Sequence, residues 1–162
     1  MSIILTEYQE KDVPEMVRIW NEVVEEGMAF PQERPLTQRS GREFFSVQTF
    51  CGVAKNNYGD ILGLYILHPV SVGRCCHIAN ASYAVSKVSR GKHIGEKLVK
   101  DCLIQAKALG FKILLFNAVV ESNLHARHLY ERLGFLQLGT IPEGFRMKDG
   151  SYANICPYYH LL

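Results

Sequence analysis

Between Ser89 and Gly95 the chain reads Ser-Arg-Gly-Lys-His-Ile-Gly, with cations and glycines alternating within seven positions. Residues 78–85, just before it, form a short and largely apolar run that reads as a strand. After it, Ile94, Leu98, Val99, Cys102, Leu103, Ala106 and Leu109 recur at helical spacing. A turn from strand to helix leaves the first helical N–H groups without intrahelical partners, at the positive end of the helix dipole, where they bind phosphate. Arg90 and Lys92 add charge, while Gly91 and Gly95 let a ligand approach the backbone closely. Two common phosphate patterns are excluded. Gly91-Lys92 is followed by His93 rather than a hydroxyl residue, and no Gly-x-Gly-x-x-Gly opens a βαβ unit.

About thirty residues on stands Asn123-Leu124-His125-Ala126-Arg127-His128-Leu129-Tyr130-Glu131-Arg132-Leu133-Gly134-Phe135. Together the two patches resemble the GNAT acetyltransferase superfamily. Arg90 to Gly95 is similar to its pyrophosphate turn, Arg/Gln-x-x-Gly-x-Gly/Ala, with His93 where the central glycine is usual. The second patch is similar to its Asn-x-x-Ala-x-x-Leu-Tyr-x-x-x-Gly-Phe segment. The resemblance is close over residues 75–142 and follows element order elsewhere. It implies acetyl-CoA as co-substrate, with the pyrophosphate at Arg90, Gly91, Lys92, His93, Ile94 and Gly95. It also implies a fourth strand that carries a bulge and splays from the fifth. The pantetheine would lie beside Ala84, Val85 and Ser86, and the Val85 N–H would face the thioester carbonyl. Tyr130 takes the place of the family's general acid, and Asn123 that of a cofactor or water contact. A tyrosine packed on the sheet and a plain helix cap are the structural alternatives.

The family often places a glutamate base on the fourth strand, and that position here holds Asn80, an amide that cannot act as a base. No Asp or Glu occurs anywhere from Ile61 to Arg90. His77, Glu33, Glu26 or water alone stand as substitutes. No metal site is expected. His125 and His128 share a helix face but lack a third ligand, and Cys75 and Cys76 point to opposite faces of a strand. The loop from Gly27 to Pro35 resembles that of the family branch acting on phosphinothricin and other amino-acid-like molecules. There Trp20, Phe30 and Phe45 would wall an apolar pocket, Arg34 would hold a carboxylate, and Asn80 would face the substrate. Trp20 and Phe45 as core residues and Arg34 as a solvated side chain are the alternatives.

Positioning these groups requires a complete domain, and the elements read consistently. Strands are expected over residues 3–8, 49–55, 61–68, 76–85, 112–119, 135–141 and 153–161. Helices are expected over 12–26, 38–47, 94–109 and 123–133. The order β-α-α-β-β-β-α-β-α-β-β is that of a three-layer α/β domain, one mixed, twisted sheet of about seven strands flanked by four helices, with residues 1–162 as a single domain. The 48% hydrophobic and 21% charged content is ordinary for a globular protein, and a net charge of +2 argues for neither nucleic acid nor membrane partners. The N-terminus shows no signal peptide, and five cysteines without Cys-x-x-Cys spacing fit reduced thiols in the cytoplasm. Tyr152, Tyr158 and Tyr159 suit either the acceptor side or a homodimer contact. The expected activity is acetyl-CoA-dependent N-acetylation of a small primary amine, an amino acid or analogue among the candidates. Acetylation of protein termini or lysines, and non-catalytic acyl-CoA binding, are the alternatives.

Overall fold

The computed structural model describes residues 2–162. Strand β1 (Ile4–Glu7) leads through a short 3-10 turn into α1 (Val13–Glu26) and α2 (Gln38–Ser46), followed by β2 (Phe50–Lys55), β3 (Ile61–Pro69) and β4 (Ile78–Val85). Then come α3 (Ile94–Ala108), β5 (Ile113–Val120), α4 (Leu124–Arg132), β6 (Leu136–Gln137), β7 (Ile141–Arg146) and β8 (Tyr152–Leu161). One sheet runs β1-β2-β3-β4-β5-β8-β6, with β7 also paired to β8. It thus has eight strands rather than about seven. The stretch 135–141, expected as one strand, gives only the two-residue β6. Chain turning at Gly139 (φ +154°) then starts β7, which the sequence reading missed.

Local chemistry explains the helix ends. Pro14 sits in the first turn of α1, where its missing N–H costs nothing, and Gly27 closes the helix in the left-handed region at φ +65°. Thr37 and Ser40 form a reciprocal capping box on α2. Asn21 bonds both the N–H and the C=O of Leu36, at 2.7 and 2.8 Å, and so pins the end of the 27–36 loop to α1.

Each face of the sheet carries its own apolar core. Helix α1, Phe45 and the inward face of β2–β3 enclose Trp20 on one side. On the other, the α3 stripe of Ile94, Leu98, Val99, Cys102 and Ala106 packs with Leu114, Phe116 and Tyr158. Leu109, expected on that stripe, lies past the helix end and is half exposed.

Candidate active site

The pairing of β4 decides the geometry. The Ser86 N–H donates to the Leu62 C=O at 2.9 Å, and the Val70 N–H to the Ile78 C=O at 2.8 Å, with unbroken register between them. Backbone bonds to β3 therefore fall on the even-numbered residues of β4, and the odd-numbered residues turn theirs toward β5. Pairing with β5 is parallel and spans only Ile78–Ile113, Ala79–Leu114 and Asn80–Leu115. Past Asn80 the strands part, leaving the N–H and C=O groups of Tyr83 and Val85 open to the gap. Ala84 and Ser86 instead spend their backbone groups on β3, so of the three residues expected beside the pantetheine only Val85 has backbone groups free toward the gap. The expected bulge is also displaced. The β4 register is regular, and the irregularity lies in β5, between Phe116 and Val119 against β8. The extra residue comes directly after the last β4–β5 pair, and a bulge bends the strand that carries it.

A cavity of about 580 Å³ runs through this fork. Phe30, Phe44, Gln48, His68 and Asn80 line it on the α1–α2 side, and Tyr83, Phe116, Asn123 and Tyr130 on the α3–α4 side. The Asn80 Nδ2 donates to the Leu115 C=O at 2.8 Å and fastens the apex of the fork. The Asn123 Oδ1 accepts from the Ala126 N–H at 3.3 Å as the α4 cap, which directs Tyr130, two turns along the helix, into the cavity. The Tyr130 ring packs on Phe116 (centroids 4.5 Å apart) and Phe135 (5.6 Å), its hydroxyl takes no protein hydrogen bond, and burial raises its pKa. Burial raises the Tyr83 phenol as well, and its hydroxyl has no partner. Burial pushes the Cys51 and Cys102 thiols up to about 12, so neither is a thiolate nucleophile at neutral pH.

At the turn before α3, the N–H groups of Gly91 to Glu96 make no protein hydrogen bond, and the first bonded amide is that of Lys97, to the His93 C=O at 3.2 Å. Six free donors in sequence form an anion cradle. Gly91 sits at φ +77° and His93 at φ +58°, both in the left-handed region. The turn requires that backbone at residue 93, which is the physical reason for a glycine there, and histidine adopts it under strain. The Ile94 side chain is core, so its contribution to the cradle is backbone alone. Gly95 leaves room for a Cβ at ordinary contact distance, with its nearest neighbours at 3.9 and 4.0 Å. Arg90 reaches back to Glu26 (2.8 Å), and the Lys92 Nζ to the Val88 C=O (3.3 Å). Glu96, an acidic residue beside the cradle, is neutralised by Lys100 (2.7 Å) and Arg132 (2.8 Å), and its carboxyl is held below the usual range chiefly by the Lys100 hydrogen bond.

These free amides and the open edge of β4 suit a long ligand with an anionic middle and a hydrogen-bonding arm. The Acetyltransferase (GNAT) family matches residues 14–135. The chain belongs to the GNAT acetyltransferase family. N-acetyltransferase aca1 of Schizosaccharomyces pombe is 31% identical over 146 residues, which span 79% of this chain and 69% of that protein. A GCN5-related N-acetyltransferase from Kribbella flavida superposes with a TM-score of 0.91 at 29% identity, covering 99% of this chain and 98% of the other. A GNAT-superfamily phosphinothricin acetyltransferase from Sinorhizobium meliloti, solved with acetyl-CoA, shares the fold with a TM-score of 0.92 at 22% identity (100% and 89% covered). As a GNAT protein the chain is an N-acetyltransferase, and acetyl-CoA is its co-substrate.

Several residues expected at this GNAT site lie elsewhere. Trp20 is 1% exposed behind Phe30 and Phe44, with ring centroids 4.3 and 5.0 Å away, and Phe45 is equally buried; both belong to the core and not to the cavity wall. Arg34 is exposed and lines neither this cavity nor the one beside the β7–β8 hairpin, where a carboxylate clamp would need it. Among the proposed bases, Glu33 is paired with Arg146, Glu26 with Arg90, and His77 is exposed away from the lining. Tyr158 is buried and bonded to Arg127 and Glu131 rather than facing an acceptor. Sequence reasoning missed Gln48, His68, Tyr83 and Phe116. For His68 the signal was present: β3 pairs with β4 as neighbouring antiparallel strands, and counting back along that pairing sets it opposite Asn80. Among the described residues, no three His, Cys, Asp or Glu side chains gather as a metal site, and no helix is long and apolar enough to cross a membrane.

Proposed function

We propose that this enzyme acetylates the primary amine of a small, otherwise uncharged molecule, by direct attack of the amine on the thioester of acetyl-CoA. One observation carries this reading. The lining of the 580 Å³ cavity contains no Asp, Glu, Lys or Arg, and its α1–α2 side is built from Phe30, Pro31, Phe44, Val47 and Ile66 with neutral Gln and Asn groups. A cavity of that size and polarity accepts a small organic body. An amino-acid acceptor would need a cation for its carboxylate, and with Arg34 outside, Arg146 paired to Glu33 and Lys148 to Glu25, none lines this cavity. The five free cysteines, two of them exposed and adjacent, suit a reducing compartment such as the cytoplasm.

In this reading the Gly91–Glu96 amides hold the pyrophosphate, and Tyr83 and Val85 lend backbone groups to the pantetheine and the thioester carbonyl. Backbone donors at the carbonyl stabilise the oxygen as it gains charge. The Tyr130 phenol, kept protonated by its burial, gives its proton to the departing sulfur. Asn123 holds the start of α4, and with it Tyr130, in place. The test is thermal stability with and without acetyl-CoA, then thiol release over a panel of aromatic and aliphatic amines, amino acids and lysine-bearing peptides. The reading expects a concentration-dependent rise in Tm and turnover of uncharged-body amines. Preference for amino acids or peptides would refute it.

A further inference from the structure

We propose that His68 is the proton acceptor of this site, filling the role left vacant by the missing strand glutamate. The inference rests on the small-amine reading above for the identity of its substrate, and on the geometry of the cavity for the rest. Three observations converge. First, the lining residues with titratable side chains are His68, Tyr83 and Tyr130, and burial raises both phenols, so neither tyrosine accepts a proton near neutrality. Imidazole is the side chain that exchanges protons in that range. Second, His68 lies directly opposite Asn80 across the β3–β4 pair. Residues directly opposite in an antiparallel pair present their side chains on the same face. His68 therefore stands beside the position from which the family's carboxylate would act, on the neighbouring strand.

Third, the ring is oriented. The His68 Nδ1 lies 2.9 Å from the Pro69 C=O, an oxygen that can only accept, so Nδ1 carries the proton of the neutral ring. Nε2 is left with the lone pair, and this backbone contact fixes the tautomer as a second hydrogen bond does in other histidine sites. Asn80 is turned the complementary way: its Nδ2 is held by the Leu115 C=O, and its Oδ1 has no protein donor. An ammonium entering between them meets two acceptors, Asn80 Oδ1 to hold one N–H and His68 Nε2 to remove another proton.

The proton balance is complete with these groups. His68 Nε2 takes one proton from the ammonium and passes it to solvent, freeing the nitrogen lone pair. That pair forms the new C–N bond at the thioester carbon, and the carbonyl π pair moves to oxygen. The oxygen pair then returns, the C–S bond breaks, and sulfur leaves with its electrons. Tyr130 protonates the sulfur and recovers a proton from the amide nitrogen. The products are the N-acetyl amine, CoA thiol and one proton.

Two experiments on the full chain decide this. Long-range nitrogen–proton NMR of the wild-type histidine rings reads the tautomer of His68 without any substrate. An unprotonated Nε2 supports the proposal, and an Nε2–H tautomer overturns it. The second experiment compares the pH dependence of kcat/KM for wild type and His68→Gln with 2-phenylethylamine and butylamine. The variant is expected to lose about 100-fold in kcat/KM, as for a missing general base, and its rate should rise only as the amine itself deprotonates. Its Tm shift with acetyl-CoA should match wild type, and imidazole should restore part of the rate of His68→Gly. An unchanged rate and pH profile in His68→Gln would refute the role. Should acetyl-CoA bind while no amine is acetylated, the small-amine reading fails, and the ring tautomer alone decides His68.

Discussion

Tyr130 and His93 show how much one side chain decides here. The Tyr130 hydroxyl is free of protein partners, and its pKa is raised by burial, so the phenol stays protonated past the ordinary tyrosine value and remains a donor throughout the neutral range. Tyr130→Phe is therefore expected to lower kcat about 10- to 100-fold, within the span attributed to acid–base groups, while the acetyl-CoA-induced Tm shift stays as in wild type. An intact kcat would remove the acid role. Because the shift is upward, no alkaline decline assignable to this tyrosine should appear below its ordinary value. His93 occupies a left-handed backbone position at about 1 kcal/mol of strain. His93→Gly should raise Tm by about 2–4 °C with little change in acetyl-CoA affinity, since the side chain is exposed and its nearest charged neighbour, Glu96, is already paired. Tyr130 and His93 stood out through the resemblance of their two segments to those of the family. His68 did not stand out beside His77, Glu26 and Glu33, because its place opposite Asn80 shows only once β3 is laid against β4: the side chains of a sheet face meet across strands.

The elements around the fork carry the next level of control. Strand β4 bonds β3 through its even residues and leaves the odd ones beyond Asn80 open to the fork. The order of strands and helices and the turn before α3 could be read from periodicity. The β5 bulge could not, because a single Asn117 within an apolar run does not mark an extra residue, and the register shift exists only relative to β8. Trp20 and Arg34 follow the alternatives left open for them, core and solvated, and the choice depended on how the 27–36 loop packs on α1: Asn21 and Phe30 draw the chain over Trp20 and leave Arg34 outside. On the far side of α1, Lys55 on β2 bonds both carboxylate oxygens of Asp12 at 2.8 Å, and Asp12 also accepts from the Gln9 N–H. Side-chain exposures of 15% and 6% mark the pair as largely desolvated. Lys55→Ala strands a buried carboxylate and should cost about 3–5 kcal/mol, visible as a lower denaturation midpoint, with kcat preserved in the folded fraction. An unchanged midpoint would show that the carboxylate regains water.

Across the whole molecule, the loop over the acceptor side is tied to the far end of the sheet. Arg146 on β7 pairs with Glu33, and Lys148 in the β7–β8 hairpin donates to the Glu25 C=O at 2.7 Å. These contacts are exposed, and each contributes about 0–1 kcal/mol to stability. Their effect belongs to the loop, where Phe30 forms a wall shared by the main cavity and a second cavity beneath the hairpin. The double change Arg146→Ala and Lys148→Ala should lower Tm by about 4 °C or less and leave the KM for acetyl-CoA unchanged, while raising the KM for the amine. Equal effects on both substrates would mean that the hairpin acts on the fold and not on the acceptor side.

The three-pair seam between β4 and β5 reaches beyond the chemistry. A sheet joined at its centre by so few rungs is, in the hydrogen-exchange sense, two panels laced at one end, each panel more cohesive than the lacing. A donor lying in the fork acts as a splint. With it bound, amides of Tyr83 and Val85 should exchange far more slowly, and the panels should open as one unit. The substrate would then complete the architecture as well as undergo the reaction, and each product release would briefly return the sheet to its unlaced state.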